Sequence, residues 1–200
     1  MTARLPWNER HGLIVDAASQ LFATRGYEHT TIEEVAAAAG VTKPIVYRHF
    51  GPKKELHLAL LALHRDRLLA TLANAMQGEA PLPARVRAAA AAWLAYVEDH
   101  PYAGKLLFRD TTGDPEIREF YDGMQATARS AIGALIAAEP DSAVPTHLLE
   151  PLSELVRAAL AGLAIWWTEH RDARREDLID ASFAAIWLGL DKARLASAWR

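Results

Sequence analysis

At 200 residues, 51% of them hydrophobic and 24% charged, the chain is long enough to bury a core and has the composition of an ordinary folded protein. A net charge of −3 excludes nucleic-acid binding through overall basicity, and the absence of cysteine excludes disulfides, thiolate metal sites and thiol nucleophiles. No signal-peptide core opens the chain and no apolar run approaches the roughly 20 residues that span a bilayer, so a cytoplasmic protein without membrane contact is expected.

The charge is mildly polarised. Residues 1–60 carry seven Lys/Arg against six acids and four of the eight histidines, while the remainder is net acidic. Any contact with nucleic acid must therefore come from a small local patch near the start of the chain.

Taken in order, every element reads as helix; no period-two strand is convincing. Leu13, Ala17, Leu21 and Phe22, with Ile14 and Ala18 beside them, give a first helix over about Asn8 to Arg25, and Gly26 supplies its left-handed stop. Thr31-Ile-Glu-Glu34 has capping-box spacing and starts a second helix that ends at Gly40. Thr42 caps a third, short helix with Pro44 in its first turn, where no backbone donor is needed. Gly51-Pro52 separates it from a long, Leu-rich fourth helix, and Gly78 to Pro83 breaks the chain before a fifth helix from about Ala84 to Asp99. A sixth runs from Pro101 to about Asp110, a seventh from Asp114-Pro115 to about Glu139, an eighth from Thr146 or Pro151 to His170, and a ninth from about Glu176 to Ser197.

The second and third helices, hinged at Gly40, have helix-turn-helix proportions. Val35, Ala36 and Ala39 bury one face of the second helix, and Val41, Ile45 and Phe50 are expected to pack the third against it. Lys43, Pro44, Val46, Tyr47, Arg48 and His49 are then left for the outer face and ends of the third helix, a shape that enters a major groove. Lys43 is placed to reach a guanine edge, and Pro44 and Val46 a thymine methyl. Tyr47 is placed to donate to phosphate, His49 either to phosphate or to its own helix end. Thr31, Thr42 and Lys54 sit at helix N-termini, where backbone donors already favour phosphate.

These residues resemble the N-terminal domain of the TetR family of transcriptional regulators. The resemblance rests on Ala17/Ala18-Leu21-Phe22, Arg25-Gly26-Tyr27, Thr30-Thr31-Ile32, Val35-Ala36, Ala39-Gly40-Val41, Tyr47-Arg48-His49-Phe50 and Lys53-Lys54-Glu55-Leu56, in order and without a gap. Pro44-Ile45-Val46 departs from the small residues common at that place. The resemblance implies an all-α, nine-helix architecture. A helix-turn-helix domain over 8–68, with its motif at 31–50, would precede a ligand-binding and dimerisation domain over 69–200. It also implies a homodimer that binds a palindromic, double-stranded operator and is released by a small apolar or amphipathic effector. The rival reading is a helical small-molecule sensor without sequence-specific DNA recognition, supported only by the acidic net charge.

For an effector pocket the candidates on helices four to seven are Trp93, Tyr96, Phe108, Phe120, Tyr121 and Met124, with His64, Arg65, Arg109 and Gln125 as polar groups. For the dimer interface two stripes stand out: Leu152, Leu155, Ala159, Gly162, Leu163 and Trp166 on the eighth helix, and Ile179, Phe183, Ile186 and Leu190 on the ninth. His57 and His64 lack partners at metal-ligand spacing, and neither a nucleophile elbow nor a phosphate-binding glycine loop is present. A metal site, a cofactor and a catalytic role are accordingly not expected.

Overall fold

The computed structural model describes residues 6–108, 113–138 and 144–189, and those residues form helices and no strand. The helices are α1 (Trp7–Arg25), α2 (Ile32–Ala38), α3 (Lys43–Phe50), α4 (Lys53–Ala75), α5 (Leu82–Asp99), α6 (Ala103–Phe108), α7 (Pro115–Ala137), α8 (Thr146–Glu169) and α9 (Arg175–Ser182). A π-helical turn, Phe183–Trp187, continues α9.

The first three helices and the start of α4 make a compact head. Ile14, Val35, Val46, Leu56 and Leu60 are all fully buried there. The short helix α2 survives in such a head because its first turn is satisfied. Thr31 accepts from the Glu34 backbone N–H at 3.2 Å, and the Glu34 carboxylate accepts from the Thr31 N–H at 2.9 Å, which completes the expected capping box. Gly40 takes φ +64° between α2 and α3, a left-handed conformation that a side chain would strain. Leu13, expected inward on α1, is 41% exposed, and Ile14, Val15 and Ala18 make the buried stripe instead.

The body is built on α4, which passes from the head into it and packs along α5. α7 and α8 form a second close pair. A Cβ on Gly133 would lie 3.1 Å from Ser153 Oγ, so the missing side chain lets the two helices approach. Glu154 on α8 ties them further by accepting from Arg129 of α7 at 3.4 Å, and Arg157 of α8 steadies the carboxylate at 2.8 Å. α8 begins at Thr146 and runs through Pro151, which settles the uncertain start. α9 packs back on α5 through Arg87–Asp180 and an Arg175–Glu98 bond of 2.7 Å. α6 packs on both α1 and α8 and so joins head to body. Among the described residues no helix is long and apolar enough to cross a membrane.

Head and body meet at a polar knot. His64 on α4 lies 3.3 Å from Ser19 Oγ on α1 and 2.9 Å from the Tyr96 hydroxyl on α5, and Tyr96 stacks on His100 at 4.2 Å. Burial, with smaller contributions from His100 and Arg67, pushes the His64 imidazole down to about 4, and burial pushes the Tyr96 phenol up to about 12. Both groups are therefore neutral partners inside the core.

Candidate functional site

Helix α3 divides its residues sharply. Val46 is fully buried, Val41, Ile45, His49 and Phe50 are half-buried, and Thr42, Lys43, Pro44, Tyr47 and Arg48 are exposed. The exposed residues within the helix fall at 43, 44, 47 and 48, two adjacent rows on one face. Tyr47, 44% exposed despite its large ring, stands at the centre of that face. Lys43 pairs with Glu33 of α2, which raises the lysine and holds the Glu33 carboxyl below its usual range, and its ammonium lies 5.7 Å from the Tyr47 ring. The pair is wholly at the surface, so phosphate or a base edge can replace Glu33 at little cost.

Four expectations for this surface change. Val46 does not reach a base, because it anchors α3 in the head core; Ile45 had been expected to carry that role. His49 is neither a phosphate donor nor a cap. Its ring stacks on Trp7 at 3.5 Å, beside His11 and Phe50, and neither ring nitrogen has a hydrogen-bond partner among the described residues. Burial first, and then His11, Arg10 and Arg48, depress its basicity. Lys54 turns away from the reading face toward α7, where its ammonium lies 2.5 Å from Glu116 and 3.9 Å from Asp114, and Glu116 chiefly raises its basicity. The Thr31 hydroxyl is engaged in its capping box, while Thr42 begins α3 without a side-chain cap. Trp7 escaped the sequence reading because one aromatic residue at the very start of a helix carries no periodic signal.

Behind the head lies a cavity of about 510 Å³ between α4, α5, α7, α8 and the π turn. Its walls are mainly Leu, Ala, Val, Ile, Met, Phe and Trp. Of the pocket candidates, Arg65, Trp93, Phe108, Tyr121, Met124 and Gln125 line it. His64 and Tyr96 do not, since they close the polar knot. Phe120 lies under the Arg65 guanidinium at 4.9 Å and outside the wall, and Arg109 falls outside the described residues. The sequence reading missed most of the far wall, Val156, Arg157 and Leu160 of α8 and Phe183 and Ile186 of the π turn; Trp187, which by sequence could line either a pocket or an interface, lines the cavity. A π turn is uncommon and tends to occur at functional sites; here it turns three aromatic or branched side chains into the cavity.

That geometry also corrects half of the interface expectation. Leu155, Ala159, Gly162 and Trp166 are exposed along one face of α8, and Leu152 and Leu163 flank them half-buried. Ile179, by contrast, is buried in the chain's own core, Phe183 and Ile186 face the cavity, and Leu190 lies outside the described residues.

Comparison with known proteins agrees with this arrangement. The sequence profile of "Bacterial regulatory proteins, tetR family" matches residues 14–60, which span most of α1 through the first turns of α4. Over 189 residues, 94% of this chain and 85% of the relative, it is 30% identical to the HTH-type transcriptional activator FasR of Mycolicibacterium smegmatis. The chain belongs to the tetR family of bacterial regulatory proteins. It is a helix-turn-helix, DNA-binding transcriptional regulator and not an enzyme. The fold of a TetR-like regulator from Rhodococcus sp. RHA1 superposes with a TM-score of 0.79 at 22% identity, covering 94% of this chain and 99% of that one. The structure of AibR in complex with isovaleryl coenzyme A and operator DNA is similar at a TM-score of 0.70 and 21% identity, covering 88% and 97%.

Proposed function

We propose that this tetR-family protein is a ligand-responsive repressor that binds a palindromic operator as a homodimer and is released by a small apolar or amphipathic effector. The observation that carries the reading is the pairing of an outward polar face on α3 with a 510 Å³ apolar cavity behind it, both built on or against the continuous α4 axis. In this reading Lys43 reads a base edge, Pro44 meets a thymine methyl, and Thr42, Tyr47 and Arg48 hold phosphate. The head extends over 8–68 and the body over 69–200. An effector that prefers one spacing of the two heads shifts the population toward or away from the DNA-competent state.

The exposed α8 stripe supports a two-fold interface, because Leu155, Ala159, Gly162 and Trp166 recur at helical spacing and would be covered by their symmetry mates. The apolar cavity, and a similar fold solved with an acyl coenzyme A, support an effector that carries a hydrocarbon chain. The name of the FasR relative favours a second reading in which the bound protein activates transcription.

Selection of bound sequences from a random duplex library tests the core of the proposal, with an enriched inverted repeat as the expected result. No enrichment, from protein shown to be folded, would instead favour a sensor that does not read DNA sequence. A reporter placed behind the selected operator then separates the signs: expression rises on deletion of a repressor and falls on deletion of an activator.

A further inference from the structure

A second cleft, of about 300 Å³, lies between head and body. Its walls come from the end of α1 and the loop after it (Arg25 to His29), from His57 on α4, from Lys105 and Leu106 on α6, and from Tyr121 on α7. Tyr121 belongs to the walls of both cavities. It is 4% exposed and its hydroxyl donates to the Leu106 carbonyl, while Leu107, the next residue, faces the larger cavity. Rotation of that one ring would join the two spaces.

The two chambers differ in electrostatics. Both cations that the described residues place on the wall of the larger cavity are already paired: Arg65 with Asp66 at 2.8 Å, and Arg157 with Glu154 at 2.8 Å. Arg157 and Arg129 hold the Glu154 carboxyl down at about 2. A charged group on a ligand would find no unmatched cation there among the described residues. Among the described residues the cleft wall has Arg25 and Lys105 against a single carboxylate, Glu28. Arg25 is paired with Glu34 at 2.6 Å, whereas half-buried Lys105 forms no ion pair with a described residue.

We infer that the cleft is the headgroup chamber of the effector site: an amphiphile lays its hydrocarbon tail in the larger cavity, passes Tyr121 and places an anionic head, carboxylate or phosphate, against Lys105. This rests on the effector reading above and adds the class of its polar end. It also supplies a mechanical link, because the head of such a ligand would bear on the Gly26–His29 loop that joins α1 to α2.

Calorimetric titration with myristate, tetradecanol and myristoyl coenzyme A tests it, on the wild type, Lys105→Gln and the charge-keeping Lys105→Arg. Lys105→Gln is expected to weaken an anionic probe by roughly ten- to hundredfold, the range for a charge-assisted hydrogen bond. Tetradecanol affinity should not change, and Lys105→Arg should restore the anion. A loss for myristate assigns the carboxylate to the cleft, and a loss for the thioester alone assigns the phosphate; either supports the chamber. Equal effects on alcohol and anions, or none on any probe, overturn it while leaving the apolar-effector reading standing. Failure of all three probes to bind the wild type overturns both. Tyr121→Phe, which removes the bond to Leu106, is expected to speed probe association followed by tryptophan fluorescence; an unchanged rate removes Tyr121 as the gate.

Discussion

The head and the body of this regulator are built to opposite specifications. The head is solid: Val35, Val46, Leu56 and Leu60 are completely buried, α2 is closed by its capping box, and a tight turn at Gly40 joins it to α3. The body surrounds a void of about 510 Å³ with side chains as large as Trp93, Phe108 and Trp187. A rigid head keeps α3 in one orientation, as base contacts accurate to a fraction of an ångström require. A hollow body sacrifices packing contacts and gains a state that a ligand can stabilise by filling it.

Substitutions on either side of that contrast should behave differently. Val46→Asp places an unpaired carboxylate in the solid head and should cost about 4 kcal/mol or more, read as loss of a cooperative thermal transition. Ala128→Trp adds far more volume, but into the cavity wall, and should change stability by about 1 kcal/mol or less while abolishing titration with tetradecanol. If both variants unfold alike, the void does not persist in solution.

The junction between the two regions should be pH-sensitive. His64 titrates near 4 in the fold and at its ordinary value of about 6.5 when unfolded, so the unfolded chain binds the proton more tightly. Stability is therefore complete above about pH 6.5 and declines as pH falls toward 4, by on the order of 3 kcal/mol in all. Denaturation midpoints across that range should show the slope, and His64→Phe should flatten it.

On the reading face the effects concern binding rather than folding. Tyr47→Ala should weaken every duplex by a similar factor with an unchanged melting temperature, whereas Lys43→Ala should relax preference at one base pair by roughly 1–3 kcal/mol. Binding titrations against the selected operator and a scrambled duplex distinguish the two. The smallest effect is expected at the cap. Thr31→Ala removes one half of the capping box and should lower stability by about 1 kcal/mol.

The contrast also explains which parts could be read in advance. Helix ends in the head depend on local chemistry, such as a threonine three residues before a glutamate or a glycine at positive φ, so Thr31-Glu34 and Gly40 were visible in the chain. The inner face of α3 was not. Eight residues hold barely two turns, and whether Ile45 or Val46 points inward depends on how α3 rolls against α2 and α4. In the body, Trp93 and Met124 could be picked out as large apolar residues, but nothing local separates a residue that fills a core from one that lines a void.

By itself, then, the sequence determined the all-helical class, the helix-turn-helix and the family, because periodicity, caps and a gapless motif are properties of neighbouring residues. Only the tertiary structure decided that His49 lies against Trp7, that Lys54 bridges to α7, and that the π turn faces the cavity. The physical reason is common to all three: each side chain's partner comes from a distant part of the chain, and its direction is set when helices pack, at separations over which no sequence pattern reaches.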